Sequence, residues 1–198
     1  MRQIHLTVLA LGLLLAPGVT MAQDPRLADR LPAGTAAAVQ RVVDSAGTDS
    51  IPAEPLIRKA LEGQSKGADS ARIVAAVRTL AGNLATARGA LGPTAQESEL
   101  VAGAAALRAG APAASLAALR GLRKKGPLAV PLSVYADLLS SGLPPDRAWD
   151  EVRTLASRNV PDSEFLALRD RVTGRAAPAS TPLPPEPRAP PDPLDPSP

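Results

Sequence analysis

Between residues 70 and 91 the apolar positions Ile73, Val77, Leu80, Leu84, Ala87 and Leu91 step by four, three, four, three and four. That spacing predicts a long helix over 70–90 with one narrow apolar seam of the coiled-coil type. Arg72, Arg78, Asn83 and Arg88 lie off the seam. Gly82 and Gly89 each weaken such a helix by about 1 kcal/mol relative to alanine, so close packing against a neighbour is expected at both. The same periodicity, bounded by cap and breaker residues, predicts seven further helices near 34–46, 53–66, 95–109, 113–125, 131–141, 145–158 and 162–172. Leu116, Leu119 and Leu122 line one face of the fifth of these eight helices. Residues reading as strand are scarce. The expected fold is all-α: a compact, irregular array of short helical hairpins with about eight helices.

The helices are separated by a recurring connector: Gly67-Ala68-Asp69, Gly110-Ala111-Pro112, Gly142-Leu143-Pro144 and Asn159-Val160-Pro161. Gly or Asn takes the left-handed conformation past a helix end, the apolar residue folds back on the last turn, and Pro or Asp opens the next helix. Asp49-Ser50-Ile51-Pro52 and Gly126-Pro127-Leu128 read as variants. Such tight links make consecutive helices neighbours. Thr94-Ala95-Gln96-Glu97 reads as a capping box. Glu54 with Arg58, and Glu62 with Lys66, stand four apart with the acid first, the favourable orientation.

Composition narrows the chemistry. The chain has no cysteine, its one histidine is His5, and its last methionine is Met21. Residues 1–22 have the three parts of a secretory signal: Arg2, an uncharged apolar run from Leu6 to Ala16, and the small-residue site Thr20-Met21-Ala22. The run is too short to span a bilayer, which needs about 20 residues. Cleavage after Ala22 would leave an exported chain without imidazole, thiol or thioether, and with them go the usual general base, disulfides and most transition-metal ligation. No cofactor and no metal is expected. With Arg2 removed, 21 basic side chains face 19 acids, a balance that does not argue for nucleic acid. No later segment is apolar enough for an integral membrane span, and the expected location is periplasmic or secreted.

From Gly174 the composition changes: ten of the last 25 residues are proline. The expected organisation is a signal peptide at 1–22, an N-terminal segment with one helix at 23–50, a helical hairpin domain at 51–173 and a disordered proline-rich tail at 174–198. Pro182-Leu-Pro-Pro-Glu-Pro-Arg188 is the densest part of that tail. A spacer is its simplest use, and docking in an aromatic groove is the alternative.

Candidate sites are few. Asp146, Asp150 and Glu151 form the densest acidic cluster, and the first two share a helix face that could offer oxygen to a divalent cation. Dipole-favouring acids at a helix start, with Arg147 and Arg153 as local partners, are the simpler explanation of the cluster. Arg120, Arg123, Lys124 and Lys125 form the basic cluster, readable as an anion contact or as a dipole-complementing helix end. All four lysines (Lys59, Lys66, Lys124, Lys125) read as exposed. Tyr135, Trp149 and Phe165 are the only aromatic residues, one on each of three consecutive helices. They read either as anchors for a partner or as a small core, because Trp149 precedes Val152 and Phe165 precedes Leu168 by three on apolar stripes. No Ser-x-x-Lys and no phosphate loop occurs.

The stretch from Ile51 to Gly63, with Lys66-Gly-Ala-Asp-Ser-Ala-Arg-Ile73, Ala76-Val77 and the Gly110 and Gly142 connectors, resembles uncharacterised exported helical proteins of bacteria. The resemblance covers about residues 50–172 and implies a shared helical fold but no activity. The function expected is therefore non-catalytic: an interaction or scaffold protein of the bacterial envelope whose partner is a protein or peptide. Tyr135, Trp149, Phe165, Arg123, Lys124 and Lys125 are the residues expected to meet it. An apolar-ligand or lipid carrier, suggested by the Ala/Leu-rich faces, and a carboxylate-dependent cell-wall hydrolase are the alternatives.

Overall fold

The computed structural model describes residues 24–124 and 126–174. The expected signal peptide and all of the tail beyond Gly174 lie outside them, as does Lys125. The described residues form nine helices and no strand: α1 (Pro25–Arg30), α2 (Ala33–Thr48), α3 (Ala53–Ser65), α4 (Ser70–Leu91), α5 (Glu97–Arg108), α6 (Ala113–Leu122), α7 (Ala129–Ser140), α8 (Pro145–Ser157) and α9 (Asp162–Thr173). The chain is thus all-α, as its periodicity predicts. The extra helix is α1. Asp24 caps it by accepting the Arg26 amide at 2.9 Å, and Pro25 pre-sets its first turn. Six residues are too few to show a period in sequence.

Five of the connectors share one hydrogen-bond pattern. The amides of Ile51, Ala68, Ala111, Leu143 and Val160 each reach back five residues, to the carbonyls of Ala46, Gly63, Ala106, Leu138 and Leu155, at 2.9–3.5 Å. The preceding residues Ser50, Gly67, Gly110, Gly142 and Asn159 all have positive φ. This is the Schellman closure, which satisfies orphan carbonyls at a helix end. Pro52, Pro112, Pro144 and Pro161 then occupy the N-cap positions of the following helices. Ser50-Ile51-Pro52 is a true copy, but Gly126-Pro127-Leu128 is not: the Leu128 amide is taken by a side chain, Glu99. The α4–α5 link is also different: the Gly92 amide bonds Arg88 O at 2.9 Å, the Ala95 amide bonds Gly92 O at 3.2 Å, and the Arg88 guanidinium donates to Pro93 O and Ala95 O.

Two compact units divide at Arg78/Thr79, within α4. In the first, α1, α2 and α3 pack on one another around Leu27, Val39, Leu56 and Ile57. Arg26 of α1 bridges to Glu54 of α3 at 2.7 Å. In the second, α7 is the central helix, packing on α5, α8 and α9. Leu128, Leu132, Val134, Tyr135, Leu138 and Leu139 are all buried, while Ser133, Asp137 and Ser140 form one exposed polar stripe. Gly103 lets α5 approach closely: a Cβ there would stand 3.1 Å from the Ala87 Cβ and 3.2 Å from Leu116.

Several expectations need correction. Gly82 and Gly89 meet nothing; an added Cβ would find no atom within 4 Å. Along the seam Ile73, Val77, Leu84, Ala87 and Leu91 are buried, but Leu80 is only half-buried. Leu122 is 40 % exposed and does not continue the stripe of Leu116 and Leu119. The capping box of α5 is formed by Gln96 and Glu99 rather than Thr94 and Glu97. Helix α6 stops at Leu122, three residues early, because Arg123 leaves helical geometry and turns inward. Lys59 is half-buried against Glu62, so the lysines are not uniformly exposed.

Candidate functional site

The most chemically featured concavity of the second unit is an open groove of about 310 Å³ among α6, α7 and α8. Its walls start at two Pro-capped helix ends. Pro112 opens α6, and Pro145 follows Pro144 at the start of α8. On α6, Ala114 and Ala118 are one turn apart and exposed, leaving room that larger side chains would fill. On α8, Pro145, Asp146 and Trp149 share one face.

The floor is aromatic. Tyr135 is buried, and Trp149 stands half-exposed beside it with ring centroids 6.0 Å apart and planes tilted by 50°. That distance and tilt lie within the favourable range for aromatic pairs. Ser115 donates its hydroxyl proton to Pro112 O at 2.7 Å. Its oxygen therefore acts as acceptor for the Tyr135 hydroxyl, 3.4 Å away. The tyrosine hydroxyl is thus anchored in the buried part of the groove, with the Trp149 indole partly exposed beside it. Asp146 adds an exposed carboxylate at the rim, with no ion-pair partner among the described residues.

The other residues singled out from sequence lie elsewhere. Phe165 is fully buried, with the Arg123 guanidinium 5.5 Å above its ring. Arg123 is itself only 7 % exposed and pairs with Asp162 at 2.8 Å. Arg120 pairs with Glu99 at 2.6 Å. The basic cluster therefore does not form as a surface: of its described members, Lys124 alone is exposed. Phe165 and Arg123 belong to the core beside α9 rather than to a docking face. Asp150 turns to Arg153 at 3.0 Å, and no three potential ligands converge on a metal-sized site among the described residues.

Glu99 was not legible as a special residue. It is 4 % exposed, and its two oxygens accept the Leu128 amide at 2.7 Å, the Gln96 amide at 3.0 Å and Arg120 at 2.6 Å. Burial alone would push its carboxyl up, but the two amides and the guanidinium outweigh it and hold it below the usual carboxylate range. An acid so engaged ties three helices together. Its one sequence signal is its place three residues into a helix that follows Gln96.

A second groove, of about 360 Å³, runs along Gly34, Thr35 and Ala38 of α2 and Ser70, Val74 and Arg78 of α4. Apart from Arg78 it is lined by small side chains, and it carries no aromatic ring. Comparison with known proteins adds nothing to these sites: no family model, no curated protein and no solved structure matches the chain.

Proposed function

We propose that this chain is an exported, non-catalytic helical interaction or scaffold protein of the bacterial envelope, and that the Tyr135–Trp149 groove is where it takes an extended peptide. The observation that carries this is the partly exposed indole of Trp149 set beside a buried tyrosine in a groove that starts at two proline-capped helix ends. Large, rigid aromatic anchors in a desolvated setting are the side chains that contribute most to peptide affinity. A groove lined by a tryptophan and a tyrosine suits a polyproline II segment, whose conformation is already fixed and whose pyrrolidine rings stack on aromatic faces. The exposed alanines of α6 give such a peptide a smooth wall. Export is supported by the sequence of residues 1–22, and no described helix is long and apolar enough to cross a membrane.

The test is calorimetric titration of the protein with proline-rich peptides representing envelope proteins, alongside a Trp149→Ala variant. Saturable binding that weakens at least tenfold in the variant supports the proposal. Equal binding by both proteins places the contact elsewhere.

A further inference from the structure

The groove wants an extended, proline-bearing strand, and the chain carries one of its own. We propose that the segment Pro182-Leu-Pro-Pro-Glu-Pro-Arg188 docks in the Tyr135–Trp149 groove of the same molecule, so that an outside partner must displace it. This rests on the groove being a peptide site, as proposed above.

Connectivity favours it. The last described residue, Gly174, ends α9, and α9 packs on α7 and α8, the two helices that carry Tyr135 and Trp149. Seven residues, and so eight steps along the chain, separate Gly174 from Pro182, a reach of about 25 Å at the roughly 3.1 Å per residue of polyproline II. The second unit, at about 100 residues, has an expected radius of gyration near 13 Å and so a radius of about 17 Å; the reach covers the surface of helices packed beside α9, α7 and α8 among them, but not the far side of the unit. A linker this short presents its own ligand at about millimolar effective concentration, so that a site of even millimolar affinity would be about half occupied.

Chemistry favours it too. Prolines 182 and 185, and again 184 and 187, stand three apart, the repeat of a polyproline II helix, and so place rings on one edge. Arg188 follows them, and the groove rim offers Asp146, whose carboxylate has no ion-pair partner among the described residues. The pairing also sets a direction, with Arg188 at the α8 end of the groove.

The chain suits a direct test, because it has one tryptophan and no cysteine. A full-length Leu183→Cys variant carrying a nitroxide should quench Trp149 fluorescence at least twofold relative to the same label on a Ser197→Cys variant. The quenching should not change with protein concentration, and adding Pro182→Ala, Pro184→Ala and Pro185→Ala should remove it. Quenching that grows with concentration would overturn the proposal in favour of a second copy as occupant. No quenching, with Trp149 still protected from acrylamide by an added peptide of residues 180–190, would overturn self-docking and leave the peptide groove standing. No quenching and no protection by any proline-rich peptide would overturn both.

Discussion

Glu99 of α5 accepts the backbone amide of Leu128, the N-cap residue of α7, at 2.7 Å. The bond crosses 29 residues of sequence and fixes the start of the central helix to the start of a neighbour. It explains why Gly126-Pro127-Leu128 departs from the other connectors: a side chain from another helix meets the amide that a local carbonyl meets elsewhere.

Replacing Glu99 with Gln should therefore destabilise the protein by about 2–4 kcal/mol, since it leaves Arg120 unpaired and an amide group facing two donors. The pH dependence follows from the lowered carboxyl. Its folded value lies below the ordinary value of 4.5, so its contribution is fully present above that pH and is lost as pH falls through the folded value. Thermal unfolding between about pH 6 and pH 3 should show the wild type losing more stability than Glu99→Gln over the acid range.

Glycines that look alike in sequence should respond in opposite directions. A Cβ at Gly63 would come 2.9 Å from Ile73 Cγ1, whereas Gly82 and Gly89 face open space. Gly63→Ala should destabilise by about 1 kcal/mol after its helix-propensity gain is counted. Gly82→Ala and Gly89→Ala should each stabilise by about 0.5–1 kcal/mol. Urea denaturation of the three single variants measures all of these.

The two connectors closed by non-glycine residues offer a second stability test. Ser50 sits at φ 57° and Asn159 at φ 49°, both left-handed. Ser50→Gly should raise stability by about 0.5–1 kcal/mol, and Asn159→Gly by less, because asparagine already tolerates that region. The reverse change at Gly110, where φ is 105°, should cost at least about 1 kcal/mol when alanine is introduced. Shifts in thermal midpoint report each sign.

Two aromatic residues should separate structure from recognition. Phe165→Ala removes a fully buried ring and should cost about 3–5 kcal/mol. Trp149 is half-exposed, so Trp149→Ala should cost less, about 1–2 kcal/mol, while abolishing peptide binding. Chemical denaturation paired with peptide titration distinguishes the two roles.

Much of the scaffold was written locally. The seam from Ile73 to Leu91 and the connectors at Gly67, Gly110, Gly142 and Asn159 depend on residues within one or two turns, so helix positions could be read from them. What was illegible depends on distant partners. Glu99 looked like any acid in a first turn, because Leu128 and Arg120 lie 29 and 21 residues away. Arg123 looked like a surface cation until Asp162 and Phe165 drew it inward. The aromatic trio was visible as a set, but only packing shows that Tyr135 and Trp149 share a groove while Phe165 lies in the core beside α9. Gly82 and Gly89 face open space for a reason no sequence carries: it shows a missing side chain, not whether anything fills its place.

The central claim is that Trp149 and Tyr135 form a site for an extended proline-rich peptide. The most direct measurement is a nuclear magnetic resonance titration that follows the single indole N–H together with the amides of Ala114, Ser115, Ala118 and Asp146. Saturable shifts confined to these groups, absent in Trp149→Ala, are the predicted result. Shifts centred on α2 and the start of α4, or none with any proline-rich peptide, would contradict it.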